Sequence, residues 1–186
     1  MHSQAIVDAL HGRVPDGAVD VAPAADGMPA IYVAREHVVA VCTALRDRPE
    51  LGFAFCADMT AADYLPREPR FEVVMHAAAL GVPGFGATAQ RLRIKVRVPG
   101  GDPSMPTVSG VWPGMAWAER EVWDMFGIRF DGHPDLRRIL MPEDWDGHPA
   151  RKDYPVQIKM KPKVYEALQL TPEQFAANIR AERSGK

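Results

Sequence analysis

Residues 132–145, GHPDLRRILMPEDW, place His133, three carboxylates, the adjacent Arg137 and Arg138, and two prolines within one short span. Such a mixture is what a metal site, an acid/base pair or an anion clamp would need. A metal is the first chemistry to weigh. His133, Asp135, Asp144, Asp146 and His148 are all ligand types, but two histidines fifteen residues apart with prolines between match no common zinc spacing. The expectation is that these carboxylates cap turns and pair with arginines. Nucleophilic catalysis lacks its usual elbow around a serine, and neither cysteine has a histidine beside it in sequence. The glycines of GVPGFG, from Gly81, lack the order and the following helix of a phosphate-binding loop. Glu119, Glu121 and Asp124 could act as an acid/base pair, but on one helix they point in at least two directions. Cys42 and Cys56 read as small buried hydrophobes. Two thiols alone cannot hold an iron–sulfur cluster or a structural zinc, which take about four ligands.

The elements that would position these groups are legible from periodicity. A helix is expected over 3–12, with Ser3 as N-cap, and a short strand from Ala30. A helix through Val38, Val41, Cys42 and Leu45 should end by Pro49. LGFAFCAD and FEVVMHAAAL read as strands. Residues 91–98, RLRIKVRV, alternate apolar and basic side chains, which predicts a half-buried strand with a basic face. GVPGFGATAQ should close it into a hairpin with FEVVMHAAAL. MAWAEREVWDMF predicts a helix ending at Gly127, with Met115, Ala118, Val122, Met125 and Phe126 as its apolar stripe and Trp117, Glu121 and Asp124 on the other side. Glu119 falls at the stripe's edge, so it should be partly buried and paired with a basic residue, Arg137 or Arg138. Prolines at 134, 142, 149, 155 and 162 forbid a long helix over 129–163, although one turn could form at DLRRIL, capped by Asp135. Thr171, Pro172 and Gln174 write a helix start near the end.

These elements predict an α+β fold: a two-layer helix/mixed-sheet domain (1–98), a signature helix with an extended Pro-rich docking segment (99–163), and a tail with a short helix (164–186). An extended segment bonds little to itself, so its backbone groups must meet water or another surface. Trp112, Trp117, Trp123, Phe126, Phe130, Trp145 and Tyr154 fall in or near it, and aromatics with Arg dominate interface cores. The basic run over 151–163, with Asp153 as its one acid, fits an acidic or carbonyl-rich partner surface. The 22 basic and 24 acidic residues nearly cancel, so nothing draws the chain in bulk to nucleic acid or lipid. No apolar run approaches the roughly eighteen residues needed to cross a bilayer. The N-terminal residues, with Asp8, Asp16 and Asp20, are neither a secretory signal nor a transit peptide, so the chain is expected to stay where it is made.

EREVWDMFGIRFDGHPDLRRILMPEDWDGHPARKDYP, residues 119–155, closely resembles the signature of the 30-kDa-type subunit of proton-translocating NADH:quinone oxidoreductase, respiratory complex I. DMTAADYLPREPRFEVVMH and RLRIKVRVP resemble the same family's first domain, so the likeness covers about 51–155. The resemblance implies a hydrophilic peripheral-arm subunit on the cytoplasmic side of the bacterial inner membrane. It would pack against the 49-kDa-type subunit near the quinone-reducing region. FMN, iron–sulfur clusters and quinone would sit on partner subunits. No catalytic, cofactor or metal residue is expected here. Glu119, Arg120, Glu121, Asp124, Gly127, His133, Pro134, Asp135, Arg137, Arg138, His148, Arg151, Lys152 and Tyr154 carry over as structural or interface positions. Ala150 departs from the leucine of many members, and the chain ends without a second domain, so a fusion of the 30-kDa-type and 49-kDa-type proteins is not expected. Two other readings stay open: an equivalent docking subunit of a membrane-bound hydrogenase-type complex, and a free-standing RNA-binding module using the basic strand.

Overall fold

The structure is a computed structural model that describes residues 2–82, 89–156 and 171–184. Alternating apolar residues build a five-stranded sheet in the order β1-β2-β5-β4-β3, from β1 (Val19–Val21), β2 (Ala30–Val33), β3 (Phe55–Asp63), β4 (Phe71–Leu80) and β5 (Ala89–Val98). β2 runs parallel to β5 and the other pairs are antiparallel, so the sheet is mixed. The β4–β5 hairpin pairs from Phe71 with Val98 to Leu80 with Ala89. The central part of its predicted connecting loop, 83–88, lies outside the described residues.

One face of the sheet is covered by α1 (Ser3–Leu10), α2 (Val38–Asp47) and α3 (Met115–Phe126). Ile6, Leu10, Val41 and Leu45 from the helices meet Ile31, Met75, Leu92 and Ile94 from the strands, all buried. Cys42 and Cys56 lie in this core as expected, and burial pushes both thiols up, Cys56 to about 12. The strand expected from Leu51 starts only at Phe55, because Trp112 Nε1 takes the Phe53 carbonyl at 3.0 Å and Gln90 reaches that of Leu51. Ser3 is not an N-cap. It is the first residue of α1, and its hydroxyl accepts from the Ala30 N–H at 3.0 Å, tying the helix to the sheet. A parallel pair, β6 (Ser104–Pro106) and β7 (Arg129–Asp131), brackets α3.

By compactness the chain divides into Met1–Tyr154 and Pro155–Lys186. The second unit holds α4 (Pro172–Ser184). Its start is the expected capping box: Thr171 Oγ1 accepts from the Gln174 N–H, and Gln174 Oε1 accepts from the Thr171 N–H.

Candidate partner-docking site

The first anchor of the signature region is the end of α3. Gly127 closes the helix with φ +75° and donates to the Trp123 carbonyl. A Cβ there would stand 2.6 Å from His148 Cδ2, so both the backbone angle and the space require glycine. His148 donates from Nδ1 to the Asp124 carbonyl at 3.0 Å and lies edge-on to Trp123.

Asp124 was expected on the exposed side of α3, and the structure buries it completely. Its Oδ2 accepts three successive backbone N–H groups, from Ile139 (3.1 Å), Leu140 (2.9 Å) and Met141 (2.8 Å), while Oδ1 accepts from Arg138. Burial pushes the Asp124 carboxyl up, but the Met141 N–H, Arg138 and the other two N–H groups outweigh it, so the net shift is downward. Arg138 continues to the carbonyls of Trp145 and Gly147. The helical turn expected at DLRRIL does not form, because these N–H groups serve Asp124 rather than a helix.

Glu119, expected to be partly buried at the stripe's edge, is fully buried, and its expected arginine partner is a correction. Arg137 pairs with Asp135 and Arg138 with Asp124. Glu119 instead accepts from the Val108 N–H and the Thr107 hydroxyl, with His133 Nε2 3.9 Å away. His133 Nδ1 accepts from the Asp135 N–H, so Nε2 carries the proton and donates to the Ala116 carbonyl. With no cation bonded to it, the Glu119 carboxyl is pushed up by burial. Asp135 caps no helix.

A second anchor was not foreseen. Asp63, at the end of β3, and Arg70, just before β4, pair bidentately; Arg70 also grips Asp153, and Asp63 takes the Lys152 N–H. Arg70 holds both carboxyls well below the usual range. Opposite charges flanking a two-proline turn were the signal available for the Asp63–Arg70 pair; nothing local announced Asp153. Arg151 also pairs with Asp153, Tyr154 donates to the Asp146 carbonyl, and the Ala150 N–H reaches Met125.

The Pro-punctuated segment over 133–154 is therefore held at many points by its own chain, where the expectation was that water or another surface would satisfy its backbone. What it leaves outside is side chains. Trp117 is 64% exposed, Leu140 58% and Ile139 36%. Arg120 lies over the Trp117 ring at 5.0 Å and donates to the carbonyls of Arg137 and Arg138, fixing the patch to the segment. Glu121, Pro134, Asp135, Arg137 and Lys152 are exposed as well. Glu119, Asp124, His133 and His148 act inward. Lys159, Lys161 and Lys163 of the expected basic tail lie outside the described residues. Among the described residues no group of three or more His, Cys, Asp and Glu could hold a metal ion, and no helix is long and apolar enough to cross a membrane.

Fold and site together define a class: an α+β protein whose signature segment is hydrogen-bonded from within and presents Trp117, Ile139 and Leu140 outward. By residues 31–159 the chain belongs to the family described as the respiratory-chain NADH dehydrogenase 30 Kd subunit. It is 45% identical over 151 residues to the NADH-quinone oxidoreductase C subunit of Roseiflexus sp. (strain RS-1), covering 81% of this chain and 83% of the relative. It is 47% identical over 141 residues to the second C subunit of the same enzyme from Rhizobium meliloti (strain 1021), covering 76% and 74%. A chain in the structure of the membrane-bound sulfane sulfur reductase, an archaeal respiratory membrane complex, shares the fold with TM-score 0.65 at 20% identity, over 82% of this chain and 85% of that one.

Proposed function

We propose that the patch around Trp117, Ile139 and Leu140 docks this chain onto the 49-kDa-type subunit of its complex. The chain is a peripheral-arm subunit of NADH-quinone oxidoreductase, a part of the enzyme that passes electrons from NADH to quinone. In this reading FMN, iron–sulfur clusters and quinone belong to partner subunits, and the arm stands on the cytoplasmic side of the bacterial inner membrane. One observation carries the proposal: Ile139 and Leu140 stand in water on a backbone whose N–H groups the buried Asp124 carboxylate holds, and Trp117 stands in water on α3. Ordering cost is thus met before contact, and burying Trp and Leu then favours association. Arg120 puts a cation beside the patch, and Arg137 with its partner Asp135 gives it a polar rim.

The test is gentle detergent extraction of membranes, affinity isolation of the tagged chain, and mass spectrometry of what accompanies it. Recovery of the 49-kDa-type subunit with flavin and iron–sulfur subunits and NADH:quinone activity is the expected result. Recovery of a nickel-site hydrogenase subunit instead, or of the chain alone, would contradict the reading.

A further inference from the structure

The docking patch leaves the chain's most regular motif unused. β5 points Arg91, Arg93, Lys95 and Arg97 away from the core, onto the sheet face opposite α1, α2 and α3. Two of these charges are balanced at home. Arg93 pairs with Asp26 at 2.7 Å and donates to His76, and Lys95 pairs with Glu72 at 3.0 Å. Arg97 is different: it is exposed, and its guanidinium stacks on the Tyr32 ring at 3.9 Å. The neighbouring strand supplies the aromatic: Tyr32 lies opposite Lys95. Among the described residues neither Arg97 nor Arg67 is paired with a carboxylate.

These residues line a trough of about 280 Å³ that includes Tyr32, Tyr64, Arg67, Phe71 and Arg97. Its outer wall is the turn between β3 and β4, and that wall is braced. The Tyr64 N–H donates to the Arg70 carbonyl at 2.7 Å, the Arg67 N–H to the Tyr64 carbonyl, and the Gly100 N–H to Glu68 Oε1. The trough thus needs little ordering before use.

We infer that the open sheet face around Tyr32, Arg67 and Arg97 is a second docking surface, for an extended acidic segment of a neighbouring subunit in the same complex. Charge selects this occupant. Two guanidinium forks match single carboxylates bidentately, and tyrosines beside them supply flat contact area. Glu68 and Glu72 line the same trough, and Asp58 is exposed on the same face. Those acids oppose a continuous phosphate backbone, whereas spaced carboxylates can sit between them. The inference rests on the subunit reading above, and its test separates the two.

The experiment uses the intact complex isolated through a tagged chain carrying Tyr32→p-benzoylphenylalanine, irradiated and mapped by mass spectrometry. The expected product is a cross-link to a subunit segment bearing Asp or Glu. Arg97→Glu and Arg67→Glu, introduced separately into the tagged chain, should each speed loss of that subunit in salt washes at least about tenfold, as for interfacial charge pairs. Placing Arg at the cross-linked acid should restore retention. A complex with full NADH:quinone activity, no cross-link from position 32 and unchanged salt resistance in both variants would overturn the inference and leave the subunit reading intact. Cross-links to nucleic acid, or to a segment without carboxylates, would also overturn it. Failure of the unmodified tagged chain to isolate with an NADH-oxidising assembly would overturn the subunit reading, and this inference with it.

Discussion

Replacing Asp124 with Asn keeps the side chain's size and removes only its charge and one acceptor oxygen. The amide must then turn its NH2 either toward Arg138 or toward the N–H groups of Ile139, Leu140 and Met141, so donors face donors either way. One flip orphans three N–H groups at about 1–3 kcal/mol each, and the other leaves them bonded but strands the guanidinium. The second is the less costly in hydrogen bonds, so the loss falls on the Arg138 pair that closes the segment. The Arg138 side chain is 13% exposed and keeps its two carbonyl partners, so it stays in place as an unbalanced charge. Breaking a buried pair of this kind costs about 3–5 kcal/mol. That loss should appear as local opening. Hydrogen exchange of residues 139–141 should accelerate on the order of a thousandfold, while core amides such as Ile94 and Met75 change far less. Protection at 139–141 within threefold of wild type would refute the reasoning, since the carboxylate would then not be what fixes the segment.

Arg70→Ala should cost about 3–5 kcal/mol in urea melts, because it leaves Asp63 buried without its cation. Since Arg70 holds the folded-state carboxyls of Asp63 and Asp153 below their ordinary range, their contribution is present above the ordinary value of 3.8 and is lost as pH falls through the lower folded values. Acid titration of wild type and Arg70→Ala should therefore converge at low pH; a constant gap between them would contradict the assignment. Glu119 has the opposite sign. Its folded carboxyl is raised, so stability falls as pH climbs from its ordinary 4.5 through the raised value. Glu119→Gln can accept from Val108 and donate to Thr107, so it should flatten that slope and change stability at neutral pH by less than about 1 kcal/mol, checked by urea melts across pH. Gly127→Ala should cost about 1–3 kcal/mol in thermal melts, from its positive φ and the His148 ring. Arg137→Ala removes only an exposed pair and should leave urea stability within about 0.5 kcal/mol while lowering the amount of assembled complex on native gels.

Much of the fold could be read from residues in order, because its signals are local. Val38, Val41, Cys42 and Leu45 sit on one helical face, and Leu92, Ile94, Val96 and Val98 on one strand face, and burial follows both patterns. Thr171 with Gln174 shows the same for a cap. The errors fall where a side chain answers to something distant in sequence. Asp124 looked solvated by helical position, yet residues fifteen to seventeen further on aim their N–H groups at it. Glu119 was read at the edge of the core and lies wholly inside it, and its partners come from the loop before α3 rather than from the arginines after it. The Arg70–Asp153 pair spans 83 residues and has no local signature. The Pro-rich segment's composition marked it as extended; it could not show which of its backbone groups the chain itself would bond. What periodicity cannot convey is which buried charge closes which loop.

The most direct test of the docking claim compares tagged wild-type chain with the double variant Trp117→Ala, Leu140→Ser, each isolated from gently solubilised membranes. Both side chains are largely in water, so the variant's urea midpoint should match wild type. Wild type should bring the 49-kDa-type subunit and NADH:quinone activity with it, and the folded variant should recover at least about tenfold less, as the loss of two interface anchors predicts. Equal recovery of that partner by the two chains would contradict the account.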